Sequence, residues 1–176
     1  MLRFLKSNTL ILFLILTIPW LAGFYINLGS NNYDMICKIL AYTIFLIWFL
    51  SLDSELSRRV PLKIRPSNTL FLVNIIILYL FNCVLLIFLE PDNYFKVTGL
   101  AAIPFLYLFY AWYSIFNHLS KLLTYAEEEK EISLNKRVGD MILFFFIFIG
   151  VWWLQPRIRK ILNKEEINRE TYYSTL

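Results

Sequence analysis

The chain has one histidine, His118, and the residues around it set the range of chemistry open to it. Tyr107, Tyr110, Ser114, Asn117 and His118 fall at helical spacing and so share one face of one helix. A polar stripe on an otherwise apolar helix turns toward protein or a wet cavity, away from lipid. Two readings of the stripe compete. In the first it is glue between helices, each hydrogen bond worth about 0.6–2 kcal/mol. In the second it borders a vestibule at the cytoplasmic end of a helix bundle, joined there by Asn74 and Gln155. His118 would then be the group that titrates near neutral pH.

Catalytic and metal chemistry find little else to use. No Asp or Glu lies in the middle of an apolar run, where a proton- or cation-coupled pump commonly places one. Cys37 and Cys83 both sit inside apolar runs, which is neither a disulfide framework nor a metal pattern. The five glycines do not form a phosphate- or dinucleotide-binding pattern, and no H-E-x-x-H occurs. The expectation is a protein that is not an enzyme, with no cofactor and no metal.

The elements that must position these residues are apolar. The chain is 59% hydrophobic, 18% aromatic and only 17% charged, with a mean hydropathy of +0.58. A soluble domain carries about 25% charged residues. The composition predicts an all-α, polytopic integral membrane protein. Residues 1–156 form one helical domain, with spans over 9–28, 35–52, 69–89 and 97–117. The first run extends past Pro19, and cleavage after Ala22 would put bulky Trp20 third upstream of the cut, where a small residue is wanted, so it reads as an uncleaved span. Residues 53–68 read as a polar connection, and the run from 97 is expected to continue as a helix through Leu119, Leu122, Leu123 and Ala126 to the acidic stretch 127–131.

Charge orients the spans. With the N-terminus inside, segments 1–8, 53–68 and 118–140 hold ten basic residues, against Lys38 and Lys96 outside. The apolar stretch Met141–Leu154 decides the rest. If it crosses, the basic tail 157–176 lies outside and the count becomes ten against seven; if it does not, fifteen against two. Fourteen residues make about 21 Å of helix, short of the ~30 Å hydrocarbon core. The preferred reading is a re-entrant or interfacial segment bent near Gly150, with both termini cytoplasmic; a fifth span is the alternative.

Two further patterns stand out. Ser7-Asn8-Thr9-Leu10 recurs as Ser67-Asn68-Thr69-Leu70, within twelve identities over forty-eight ungapped positions at an offset of sixty. A duplicated helical hairpin would leave such a trace, as would shared Leu/Ile/Phe-rich composition. Arg58, Arg59, Lys63, Arg65, Arg157, Arg159 and Lys160 would gather on the cytoplasmic face as contacts to anionic lipid, each worth about 1 kcal/mol. The expected partners are membrane lipid and either further copies of the chain or a larger membrane complex, with no nucleic acid. The function expected is that of an accessory subunit or membrane effector acting through helix–helix assembly. The alternative is a small oligomeric channel or transporter with its vestibule near His118.

Overall fold

The computed structural model describes residues 5–25, 31–88, 99 and 102–174. The described residues form six α-helices and no strand: α1 Thr9–Tyr25, α2 Asn31–Ser57, α3 Thr69–Phe88, α4 Ala102–Glu128, α5 Leu134–Phe145 and α6 Ile147–Ser174. A 3-10 turn over Leu62–Ile64 bridges α2 and α3, between Pro61 and Pro66. Expectations for 26–28, 89–98 (including Lys96), 100–101 and the end of the tail fall outside the described residues, as do those for the Lys164 and Arg169 side chains.

Among the described residues, two helices are long and apolar enough to cross a membrane, Met35–Ser57 and Thr69–Leu86; Thr9–Gly23 is apolar but shorter. α4 has the length, but tyrosines, Asn117 and His118 lower its hydropathy. Leu12 and Leu16 of α1, Trp48, Phe49 and Leu52 of α2, Phe71 of α3, Ile115 and Leu119 of α4, Phe144 of α5 and Leu154 of α6 form one core. α1 packs on α2 and α6, α2 on α3 and α4, α3 on α4, and α5 joins α4 to α6. Gly23 permits the α1–α2 approach, because a Cβ there would lie 2.9 Å from the Lys38 backbone nitrogen.

One boundary differs from the sequence reading. α2 does not stop at 52 but runs to Ser57, because Leu52, Leu56 and then Val60 continue its buried face at four-residue spacing. The connection between α2 and α3 is correspondingly shorter. α4 extends to Glu128 and ends where Glu129 takes a left-handed φ of 55°. The repeated Ser-Asn-Thr-Leu text starts helices at matching places: the Asn8 carbonyl accepts from Leu12 N–H at 3.0 Å and the Asn68 carbonyl from Leu72 N–H at 2.9 Å. The helices that follow end at Ser57 and Glu128, seventy-one residues apart, so the offset of sixty does not carry through the second helix.

The apolar stretch 141–154 is a helical hairpin. The chain leaves α5 at Phe146, whose φ of −91° and ψ of 58° are non-helical, and α6 starts one residue later. The Phe146 N–H still donates to the Ile142 carbonyl at 2.9 Å, and the Phe146 carbonyl accepts from Ile149 and Gly150 at 3.0 and 2.7 Å. The bend is therefore at Phe146, four residues before the glycine that the sequence suggested. Gly150 is instead the contact point between the two arms. A Cβ there would lie 2.7 Å from the Leu143 carbonyl carbon and closer still to its oxygen. Along an unbroken helix Asp140 and Arg157 would be about 25 Å apart. Here their side chains form an ion pair, so the two arms end at one level. α6 then continues through Pro156.

Candidate functional site

Polar side chains gather at the end of the bundle where α2 finishes, α3 begins and the hairpin closes. His118 of α4 lies against Asp53 of α2, with Nε2 and Oδ1 2.7 Å apart and both side chains buried. A carboxylate can only accept, so Nε2 carries the proton and donates it. Phe71 of α3 stacks on the imidazole with centroids 4.6 Å apart and planes at 22°. Three helices thus meet on one histidine. Three residues beyond Phe71 on α3, Asn74 accepts through Oδ1 from the Tyr107 hydroxyl at 2.8 Å, which joins α3 to α4 eleven residues before His118.

A second cluster ties the hairpin to α4. Arg157 of α6 binds Glu127 through Nε and Nη2 at 2.8 and 2.6 Å, and binds both oxygens of Asp140. The hydrogen bond to Glu127, then that to Asp140, holds the guanidinium above its already high proton affinity. Thr124 donates to Asp140 at 3.1 Å. Arg137 donates to Asn117 Oδ1 at 3.2 Å and lies over the Tyr125 ring, while its carbonyl accepts from Ser120 at 3.0 Å. Gln155, fully buried on α6, donates to the carbonyls of Leu5 and Ser7 and so holds the approach to α1.

The candidate residues therefore separate into distinct contacts. Asn74 pairs with Tyr107, Asn117 with Arg137, His118 with Asp53, and Gln155 with the N-terminal backbone. Ser114 is buried, and Tyr110 is exposed beside the Tyr107 ring. Of the bases assigned to lipid, Arg157 turns inward to Glu127 and Asp140, and Arg59 turns back to Glu55 at 3.0 Å. Arg58, Lys63, Arg65, Arg159 and Lys160 are exposed.

The sequence reading missed Asp53, Glu127 and Asp140 as partners. The one available signal was the Leu52–Leu56–Val60 periodicity, which makes Asp53 helical; the separation of sixty-five positions between Asp53 and His118 hid the pairing itself.

Chemically, an aspartate behind a histidine orients it as in a general-base pair. The described residues supply no hydroxyl or thiol hydrogen-bonded to His118, and Phe71 covers its ring. No three His, Cys, Asp or Glu side chains among the described residues come together to hold a metal.

A cavity of about 750 Å³ lies elsewhere, between α2, α3, α4 and the hairpin. Phe45, Phe49, Trp112, Phe116, Phe144 and Phe148 form much of its wall, and none of the candidate polar residues lines it. Comparison with protein-family models, with curated proteins and with solved structures finds no match to this chain.

Proposed function

We propose that this is a multi-pass membrane protein in which α1 to α4 cross the bilayer and the α5–α6 hairpin enters and leaves on the cytoplasmic side. It works without catalysis, as an accessory subunit or membrane effector that assembles with other helices. Support for the topology comes from the Asp140–Arg157 pair, since a hairpin whose arms end at one level returns the basic tail to the side it left. That side then carries fifteen of the seventeen basic residues, the asymmetry expected of a cytoplasmic face.

The observation that carries the functional reading is how the polar groups are arranged. His118, Asp53, Asn74, Arg157, Asp140 and Glu127 are engaged with one another across helices, and the helix exteriors are apolar. Phe109, Leu106, Leu80 and Ile76 are among the exposed side chains, and they offer a membrane-level surface to other helices. A channel through a vestibule at His118 has less support, because Phe71 and Asp53 cover the imidazole and the cavity is lined by other residues.

The test is photocrosslinking in native membranes from Phe109, Leu106, Leu80 and Ile76, one position at a time. One discrete protein adduct, the same from neighbouring positions, is expected. Adducts to lipid alone from all four would overturn assembly as the function.

A further inference from the structure

We propose that the cavity between α2, α3, α4 and the hairpin is a binding site for a neutral, lipid-soluble alcohol with a long apolar body. The inference rests on the membrane placement argued above. The volume of about 750 Å³ is within the ~300–1,000 Å³ of small-molecule sites, which are mostly apolar with a few placed polar groups.

Depth along the helices shows where those polar groups are. Asp53, His118 and Phe71 touch, which fixes a common level at the polar end. Tyr42 lies eleven residues from Asp53 on α2 and Asn82 eleven residues from Phe71 on α3, about 16 Å deeper in each case. Tyr79 is at nearly the same depth and reaches Thr43 across the two helices at 3.3 Å. The wall nearer the polar end is Phe116, Val138 and Ile142.

Among the described residues, no Asp, Glu, Lys, Arg or His lines the cavity. A charged headgroup drawn to the deep end would lose its hydration with no counter-charge among the described lining residues. An acyl chain, or the apolar face of a helix, would fill the space but leave the deep polar atoms facing hydrocarbon. Those atoms ask for both roles. The Asn82 amide nitrogen already donates to the Leu78 carbonyl at 2.8 Å, so its carboxamide oxygen is the acceptor on offer. The Thr43 hydroxyl donates to the Ile39 carbonyl at 2.8 Å, so Tyr79 donates to Thr43 and keeps lone pairs to accept with. Tyr42 brings a hydroxyl that can donate. A ligand hydroxyl both donates and accepts, and the aromatic wall takes the apolar body.

The experiment uses the full chain in phosphatidylcholine vesicles, with a hexadecanol that carries a diazirine beside its hydroxyl. The expected result is saturable labelling of the segments around Tyr42 and Asn82, competed by hexadecanol about tenfold better than by hexadecane, the difference of one buried hydrogen bond or slightly more. Asn82→Leu, a change of similar size, should erase the preference for hexadecanol while leaving the helical content unchanged. Ile142→Trp, at the exposed rim, should reduce labelling by filling the cavity. Equal competition by hexadecane, labelling that does not saturate, or an Asn82→Leu protein that keeps its preference would each overturn the proposal. A crosslink from Tyr42 or Asn82, at the deep end of the cavity, to a second chain would do the same. None of these outcomes bears on the sidedness of the tail, so the membrane placement stands or falls separately.

Discussion

Replacing Gly150 by alanine should force the α5–α6 hairpin open. The added Cβ would sit 2.7 Å from the Leu143 carbonyl carbon, where ordinary contact needs at least 3.4 Å. The obstacle is backbone, so no side-chain rotation relieves it, and α5 must move by at least about 0.7 Å at Leu143. Leu143 is three residues from the bend at Phe146 and Asp140 is six, so a hinge at Phe146 doubles the shift to about 1.4 Å at Asp140. That carries the Arg157 Nη2–Asp140 Oδ2 bond from 3.1 Å to about 4.5 Å, past hydrogen-bond reach. Overpacking costs about 1–3 kcal/mol, and weakening a partly buried ion pair adds about 1–2 kcal/mol. The expected loss is therefore about 2–5 kcal/mol, measured by denaturant unfolding in mixed micelles with tryptophan fluorescence as the readout. Trp152 and Trp153 on α6 report the hairpin directly. A Gly150→Ala protein within about 0.5 kcal/mol of the parent would refute the close approach of the two arms.

The other contacts give sharper single-residue expectations. A double-mutant cycle on Arg157→Met and Asp140→Asn should show coupling of about 1–2 kcal/mol in the same unfolding assay. Because the proton affinity of Arg157 is raised in the folded protein, its contribution is complete below the pKa of a free guanidinium; coupling measured at pH 7 should persist at pH 10. His118→Ala leaves the Asp53 carboxylate buried without its partner and should cost about 3–5 kcal/mol, whereas Asp53→Asn should cost about 1–2 kcal/mol; equal losses in thermal unfolding would contradict a buried pair. Gln155→Leu removes the donor to the Leu5 and Ser7 carbonyls and should speed amide exchange at the start of α1, with exchange elsewhere unchanged by comparison.

Helix positions were the legible part of this sequence, because period and length are local properties. The spans expected from 9 and 69 start as α1 and α3 at those residues, and the apolar face of α4 announced its run to Ala126. The end of α2 was obscured by composition: Asp53, Glu55, Arg58 and Arg59 look like a loop, yet Asp53 and Glu55 are buried on a helix beside Leu52 and Leu56. The site itself was legible only in part. That Asn74, Asn117, His118 and Gln155 share one end follows from counting spans. Their partners do not, since Asp53, Arg137, Asp140 and the Leu5 carbonyl come from other elements and the choice among them is made by tertiary packing. Arg157 is the clearest case. From sequence its charge belonged to a lipid-facing tail, but the turn at Phe146 swings it onto Glu127 and Asp140.

Sidedness across the hairpin tests the account most directly. In a background with Cys37 and Cys83 replaced by serine, single cysteines at Ser67, Ser133 and Asn163, all exposed, would be challenged with an impermeant thiol reagent in intact cells and in inverted vesicles. The account predicts that all three react in inverted vesicles and none in intact cells. Reaction of the Asn163 cysteine in intact cells, with the Ser133 cysteine still protected, would mean that residues 134–162 cross the bilayer and that the hairpin does not exist.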